Sequence, residues 1–395
     1  MSGGTIGLGP SPAPGAQAPL SMPSPAMDPS TPKPLRVGFD VTSVTSHRSR
    51  GIASYIRALL PALESTAPWI DPVLFLRNER WLRKEALADL LPGAERRWIL
   101  DPLRVPLLDL DAYHGMGTHL PSRSGTPRSF TLHDLRSFDL DGALPEESSR
   151  RVKTIRRADR ILCISDHGRD RLLHHVPDLP PSEVEVIHHG VDHGRFGPRE
   201  RAECEAALAG AGITAPFLLQ LGSFFPHKNL ELSIESFARS RARKEGVHLV
   251  FIGGGSKDHS AHLKRRCVEL GLSGEVLWID GLEDPAVPLV LAAAEALLFP
   301  SRYEGFGLPI LEAMASGVPG VSSNCACLPE VVGDAWQTCD PDDPDVFSAA
   351  LDQTLFDGEK RAERIRLGLE RARMFTWERC ATRTAEFLAS AAGPS

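Results

Sequence analysis

The chain has no Cys-x-x-Cys pair, and seven cysteines in 395 residues are too sparse for a disulfide framework. Cys325 and Cys327 are the only close pair, and free cysteines of this kind are ordinarily small buried residues, not metal ligands. A reducing cytoplasm is the simplest compartment for such a set. No window reaches the ~18 uncharged apolar residues that a membrane-spanning helix needs. The best candidate, residues 285–300, is short and carries Glu295. No basic residue precedes Lys33, so the positive start of a secretory signal is missing. An excess of positive charge is missing too. The formal net charge is −7, which gives no ground for nucleic-acid binding.

What is present is a soluble composition, 42% hydrophobic and 24% charged, in a chain long enough for two domains of ordinary size. Residues 1–34 stand apart, with nine prolines and only Asp28 and Lys33 charged. They offer too little apolar surface to offset their ordering entropy, and a disordered tail is expected. From residue 35 onward, buried-strand runs alternate with helical spacing. Strands are expected at 35–39, 73–76, 98–100, 130–132, 161–164 and 184–187. After a Gly- and His-rich stretch at 189–198, further strands are expected at 217–221, 247–252, 276–279 and 296–299. Helices are expected at 51–63, 229–243, 260–270 and 285–294, with a last one at 377–390. The pattern is α/β, two doubly wound Rossmann-like domains with a cleft between them, where a ligand would lie. The expected boundaries are 35–195, 196–375 and a final helix at 376–390.

Two loops carry the chemistry. The segment Pro300-Ser-Arg-Tyr-Glu304-Gly-Phe-Gly-Leu-Pro-Ile-Leu-Glu312 follows a buried strand. Gly305 and Gly307 allow close backbone approach, and Pro309 suits a first helical turn. Free N–H groups and the positive end of the helix dipole would meet there, which suits a phosphate. Glu304 and Glu312 are not a glycosidase pair. On one helix they would lie ~12 Å apart, beyond the ~5–9.5 Å such pairs use. The plainer reading is two solvated carboxylates around a helix start. The second loop, Gln220-Leu-Gly222-Ser223-Phe-Phe-Pro-His227-Lys228-Asn229, also follows a strand and opens a helix. Lys228 could aim its ammonium at a phosphate, and on its own would equally be a surface lysine. Residues 150–160 hold six basic residues and one acidic one. A solvated helix face is the bland reading, and contact with an anionic membrane carrying a lipid-linked acceptor is the sharper one.

Together these segments resemble the retaining family 4 glycosyltransferases, which have the GT-B fold. The resemblance covers about residues 35–390. It rests on Glu304, Gly305-Phe306-Gly307-Leu308-Pro309 and Glu312-Ala-Met-Ala, on Leu328-Pro-Glu330-Val-Val-Gly333-Asp334-Ala, and on the Gly222 to Lys228-Asn229 loop. Ile187-His-His-Gly190-Val-Asp192, Phe375-Thr-Trp377-Glu378 and Thr131-Leu-His133-Asp134 extend it.

The resemblance implies that Lys228, with Gly222 and Ser223 in its loop, holds the donor diphosphate. It implies that Glu312 bonds the ribose and that Glu304 contacts the sugar and the reacting centre. Gly305, Phe306, Gly307 and Leu308 would line sugar and phosphates. His133 would face the sugar across the cleft, and Gly51 would lie near acceptor and phosphate. The implied reaction moves a sugar, mannose favoured, from a nucleoside diphosphate (GDP-mannose first) to a glycan or polyprenyl-linked glycan acceptor in surface-polysaccharide synthesis. The protein would be cytoplasmic, with peripheral contact at the inner face of a membrane, no nucleic-acid partner, no metal and no other cofactor.

The sequence departs from the family at Ser223 and His227, where an arginine is frequent, at Ala53 for glycine and at Gly320 for valine. With the arginine gone, protonated His227 would strengthen donor binding as pH falls from 8 to 6. Two rivals are a non-catalytic nucleotide-sugar-binding module and a Rossmann oxidoreductase. The latter would need a Gly-x-Gly-x-x-Gly that Phe251-Ile-Gly253-Gly-Gly255 does not supply.

Overall fold

A computed structural model describes residues 33–46, 50–77, 85, 87–99, 109–121, 125–140 and 145–393. The tail expected at 1–34 lies outside these residues, apart from its last two. Residues from Leu35 onward form one compact unit. It contains two parallel sheets. The first has seven strands: β1 (Leu35–Asp40), β2 (Ile70–Arg77), β3 (Glu95–Ile99), β4 (Ala112–Gly115), β5 (Arg128–Leu132), β6 (Arg160–Cys163) and β7 (Val184–Val186), in the order β3-β2-β1-β4-β5-β6-β7. The second has six: β8 (Phe217–Leu221), β9 (His248–Ile252), β10 (Val276–Ile279), β11 (Ala296–Phe299), β12 (Gly320–Ser323) and β13 (Gln337–Cys339), in the order β10-β9-β8-β11-β12-β13. Strand order reverses between β1 and β4 and between β8 and β11. The carboxyl ends of strands beside such reversals are where α/β sheets bind ligands.

Mostly apolar residues build the central strands, which are buried on both faces as parallel strands require. All four residues of β11 are buried, as are the first four of its neighbour β8, and Val37 and Phe39 of β1 are fully buried. Three expected features differ from the structure. β4, β12 and β13 have no counterpart among the expected strands. The helix expected at 229–243 breaks at Ser240 into Leu230–Arg239 and Arg241–Lys244. The helix expected at 285–294 begins with a 3-10 turn, Asp284–Ala286, before Val287–Ala292. Gly320, at the start of β12, has Trp336 packed against it. A Cβ there would lie 2.6 Å from the indole ring and 2.6 Å from the Leu297 carbonyl, so valine would not fit.

The chain crosses between the sheets at two places that touch. Val191 pairs with Thr376, and a Cβ on Gly190 would lie 2.2 Å from the Trp377 amide. Only glycine permits that approach. The last helix, Trp377–Ala392, then packs against the helix Arg50–Thr66 of the first lobe, and its Phe387 meets His114 edge-on at 6.1 Å.

Candidate active site

The Lys228 loop is held by its own side chains. Gly222 takes a φ of 137° and Gly253 one of 145°, and a Cβ on Gly253 would lie 1.7 Å from the Gly222 carbonyl. The chain then makes a 3-10 turn, Pro226–Lys228, and Asn229 adopts the left-handed conformation. Asn229 is buried, and its amide donates to the carbonyls of Pro341 (2.8 Å) and Pro300 (3.2 Å). Gln220 donates to the Lys228 carbonyl at 3.0 Å. These bonds fix the backbone and leave the Lys228 side chain to reach out. Its ammonium meets Glu304 Oε1 at 2.5 Å and lies 5.9 Å from the Phe299 ring. Both partners are largely buried, with 21% and 11% of their side chains exposed.

Glu304 stands in the loop between β11 and the helix Leu308–Ala315. Gly307 precedes that helix at a φ of 117°, and Pro309 occupies its first turn. The Cys327 thiol braces the loop by donating to the Phe306 carbonyl at 3.0 Å and the Glu304 carbonyl at 3.3 Å. On either side of Glu304 the loop touches the first lobe. A Cβ on Gly305 would lie 1.9 Å from the His133 carbonyl. The Tyr303 hydroxyl donates to Asp139 Oδ2 at 2.9 Å and accepts from the Leu135 amide at 3.3 Å. Glu304 is therefore carried to the cleft between two cross-lobe contacts.

His133 follows β5. Its Nε2–H donates to the Met116 carbonyl at 2.9 Å, and its ring meets Tyr55 edge-on at 5.0 Å. Burial lowers its pKa from the usual value, against the pull of the Met116 carbonyl, so the ring is neutral near pH 7 with Nδ1 as its acceptor. Glu312, on the helix Leu308–Ala315, is half-buried. Burial pushes its carboxyl up to about 7, opposed by Arg195 and reinforced by Asp284. Arg195 is itself bonded to Asp284, at 2.7 Å.

Phe306, expected to line sugar and phosphates, turns its ring away from the Lys228–Glu304 pair. Its ring is buried against His188, His189 and Phe375, at 5.9, 5.2 and 6.0 Å, so only its backbone belongs to the loop. Gly51 lies in the first turn of the helix Arg50–Thr66, with open space within 4 Å of the place a Cβ would take. Leu308 opens its helix and Ser223 follows Gly222; both are half-buried.

Sequence reasoning missed Tyr303, Cys327 and a latch on Glu330. That carboxylate, on the helix Leu328–Val332, accepts from the amides of Asp166 (2.9 Å) and His167 (3.3 Å) and from His188 Nε2 (2.5 Å). It thereby caps the helix Asp166–His175 of the opposite lobe. Among the described residues, Asp166, His188 and Glu330 are the one group whose ligand atoms gather within 4.8 Å. The basic stretch also reads differently. Arg151, Arg156, Arg157 and Arg160 bond to groups of the chain itself, which leaves Arg150 and Lys153 as its exposed free cations among the described residues.

Two lobes, each built on a parallel α/β sheet, with Lys228 and Glu304 paired from two loops that each lead into a helix, have the architecture of a GT-B glycosyltransferase. The Glycosyltransferase Family 4 profile matches residues 35–195, and that of Glycosyl transferases group 1 matches residues 210–370. The chain belongs to glycosyltransferase family 4. It is 32% identical over 279 residues to the O-antigen chain mannosyltransferase B of Escherichia coli, covering 69% of this chain and 72% of that protein. It is also 32% identical over 211 residues to an MMP alpha-(1->4)-mannosyltransferase of Mycolicibacterium hassiacum, 52% of this chain and 48% of that one. The crystal structure of Anabaena Alr3699/HepE in complex with UDP and glucose shares the fold, with a TM-score of 0.73 at 15% identity, over 90% of this chain and all of that one.

Proposed function

We propose that the chain transfers mannose from GDP-mannose, with retention of anomeric configuration, to a glycan or polyprenyl-linked glycan during surface-polysaccharide synthesis. The observation that carries this reading is the Lys228–Glu304 pair, brought against His133 by the close approach of Gly305. A diphosphate entering the cleft competes with Glu304 for the ammonium. Lys228 and the amides at the start of the helix Leu308–Ala315 then neutralise the leaving phosphate, and Glu304 is released toward the sugar. Glu304 stabilises positive character at the anomeric carbon, and the leaving phosphate takes the acceptor's proton on the same face. Glu312 accepts hydrogen bonds from ribose hydroxyls. Neutral His133 offers Nδ1 to a sugar hydroxyl, and Gly51 opens the first lobe beside acceptor and phosphate. Positioning and electrostatics supply most of the rate.

The mannosyltransferases among the relatives favour mannose. A lipid-linked acceptor would be met at the inner membrane surface. No helix among the described residues is long and apolar enough to cross a membrane. The test is transfer from GDP-mannose and from UDP-glucose to glycan and polyprenyl-linked acceptors, with the product's anomeric configuration read by NMR. Transfer with inversion, or from neither donor, refutes the reading.

A further inference from the structure

Behind the crossing between the lobes lies a cavity of about 220 Å³ that shares no residue with the Lys228 and Glu304 loops. Its walls include His188 and His189 after β7, Arg371 near the end of the helix Gly358–Ala372, Thr376, and Arg379 and Arg383 of the last helix. Among the described residues, no Asp or Glu lines it.

Three features of these walls point to one kind of ligand. The first is charge with little counter-charge. Arg371 bonds the carbonyls of Val331 (3.1 Å) and Glu330 (2.5 Å), touches Met374 Sδ at 3.9 Å, and lies 5.1 Å from the Phe375 ring. Arg379 reaches the Met374 carbonyl at 3.4 Å. None of these partners is a carboxylate. Arg383 has one, Glu185 at 3.2 Å, which it shares with Arg160.

The second feature is His189. Its ring is 3% exposed, is stacked on Tyr55 at 4.6 Å, and has no hydrogen-bond partner on either nitrogen among the described residues. A neutral imidazole always carries one N–H, and a buried donor left unmade is rare. The third is the start of the helix Trp377–Ala392. Its Thr376 cap lines the cavity and satisfies Arg379 N, and Arg379 and Arg383 stand one turn apart on the side of this helix that forms the wall.

We propose that this cavity binds a phosphate group, either free or as a small phosphomonoester, on Arg371, Arg379, Arg383 and His189. Guanidinium forks match the paired oxygens of a phosphate, and no described wall carboxylate opposes the anion. The walls come from both crossings, which meet at Val191 and Thr376, so an occupant ties the two together. Occupancy therefore stiffens the hinge and alters lobe closure. That consequence for turnover rests on the glycosyl-transfer reading, whereas the binding does not.

Inorganic phosphate and glucose 6-phosphate are titrated separately into the full chain by calorimetry, with no donor present. The same titrations are run on Lys228→Ala, which removes the cation of the donor loop, and on Arg379→Ala/Arg383→Ala. One-site binding should persist in Lys228→Ala and weaken at least tenfold in the double variant. The tighter of the two probes identifies the source of the phosphate. Should the double variant fold poorly, Arg379→Gln, at an exposed position, should still weaken binding severalfold. Absence of saturable binding to wild type refutes the proposal. So does binding lost in Lys228→Ala, or binding equal to wild type in a folded Arg379 variant.

Discussion

The sharpest consequence of the site's electrostatics concerns Glu312. Its carboxyl is raised from 4.5 to about 7, chiefly by burial. At about 1.4 kcal/mol per pH unit that difference corresponds to roughly 3 kcal/mol, and partial solvent exposure trims it to about 2. The sign follows from proton counting. Between pH 4.5 and 7 the folded chain holds a proton on Glu312 that the unfolded chain has released. Unfolding then releases a proton, so stability falls as pH rises through this window and stays lower above it. Glu312→Gln holds the site neutral at every pH. It should match wild type near pH 4 and exceed it by about 1–2 kcal/mol at pH 8, measured by denaturant unfolding.

Binding runs the other way. On the proposed reading ribose hydroxyls donate to the charged carboxylate, so affinity for a nucleoside diphosphate should rise from pH 6 to 8, by up to about tenfold per unit below 7. Calorimetric titration of GDP and UDP at pH 6, 7 and 8 reads this directly, and Glu312→Gln should bind more weakly with a flat profile. A contribution from protonated His227, whose ring stacks on Phe225 at 5.9 Å, has the opposite sign, and His227→Gln separates the two. Unchanged affinity across this range, or a slope that survives in Glu312→Gln, refutes the assignment.

Four further outcomes are expected. Lys228→Ala should weaken diphosphate binding by about 2–4 kcal/mol and leave the bare nucleoside nearly unaffected in calorimetry, since only a ligand with phosphates can take the ammonium over from Glu304. Glu304→Gln should lower kcat at least about a hundredfold in a steady-state assay, with less than about a tenfold change in nucleotide affinity. His133→Ala should leave nucleoside-diphosphate binding intact and impair transfer, because the proposed role has the ring meet the sugar from the opposite lobe. Gly305→Ala places a methyl group where the His133 carbonyl stands 1.9 Å away. It should keep GDP binding within a few fold, abolish transfer and enlarge the radius of gyration seen in solution scattering.

What the sequence could disclose depended on whether a signal was local. The Glu304–Gly307 loop and the Lys228 loop were legible because each follows an apolar strand, carries at least one glycine, and leads into a helix close behind. The strand β4 was not. Ala112-Tyr-His-Gly has no apolar run, and it is buried because His114 finds Ser129 Oγ at 2.8 Å and Thr131 Oγ1 at 2.9 Å on the neighbouring strand. A buried polar residue satisfied across a sheet leaves no periodic trace. The Lys228–Glu304 pair joins residues 76 positions apart, and the Glu330 cap joins residues 164 apart. Both exist only once the lobes are folded and docked. Phe306 is expected from the resemblance to line sugar and phosphates with its loop neighbours, and its ring turns inward onto His188 and Phe375. Chain order gives the position of a loop but not the direction of its side chains. The residues with the most local signatures are those whose backbone geometry the chemistry needs. The residues that bring the two halves together, Tyr303, Gly305 and Glu330, are specified by surfaces that meet only in three dimensions. Closure is therefore the property of this glycosyltransferase that structure contributes, and the Gly305→Ala variant addresses it most directly.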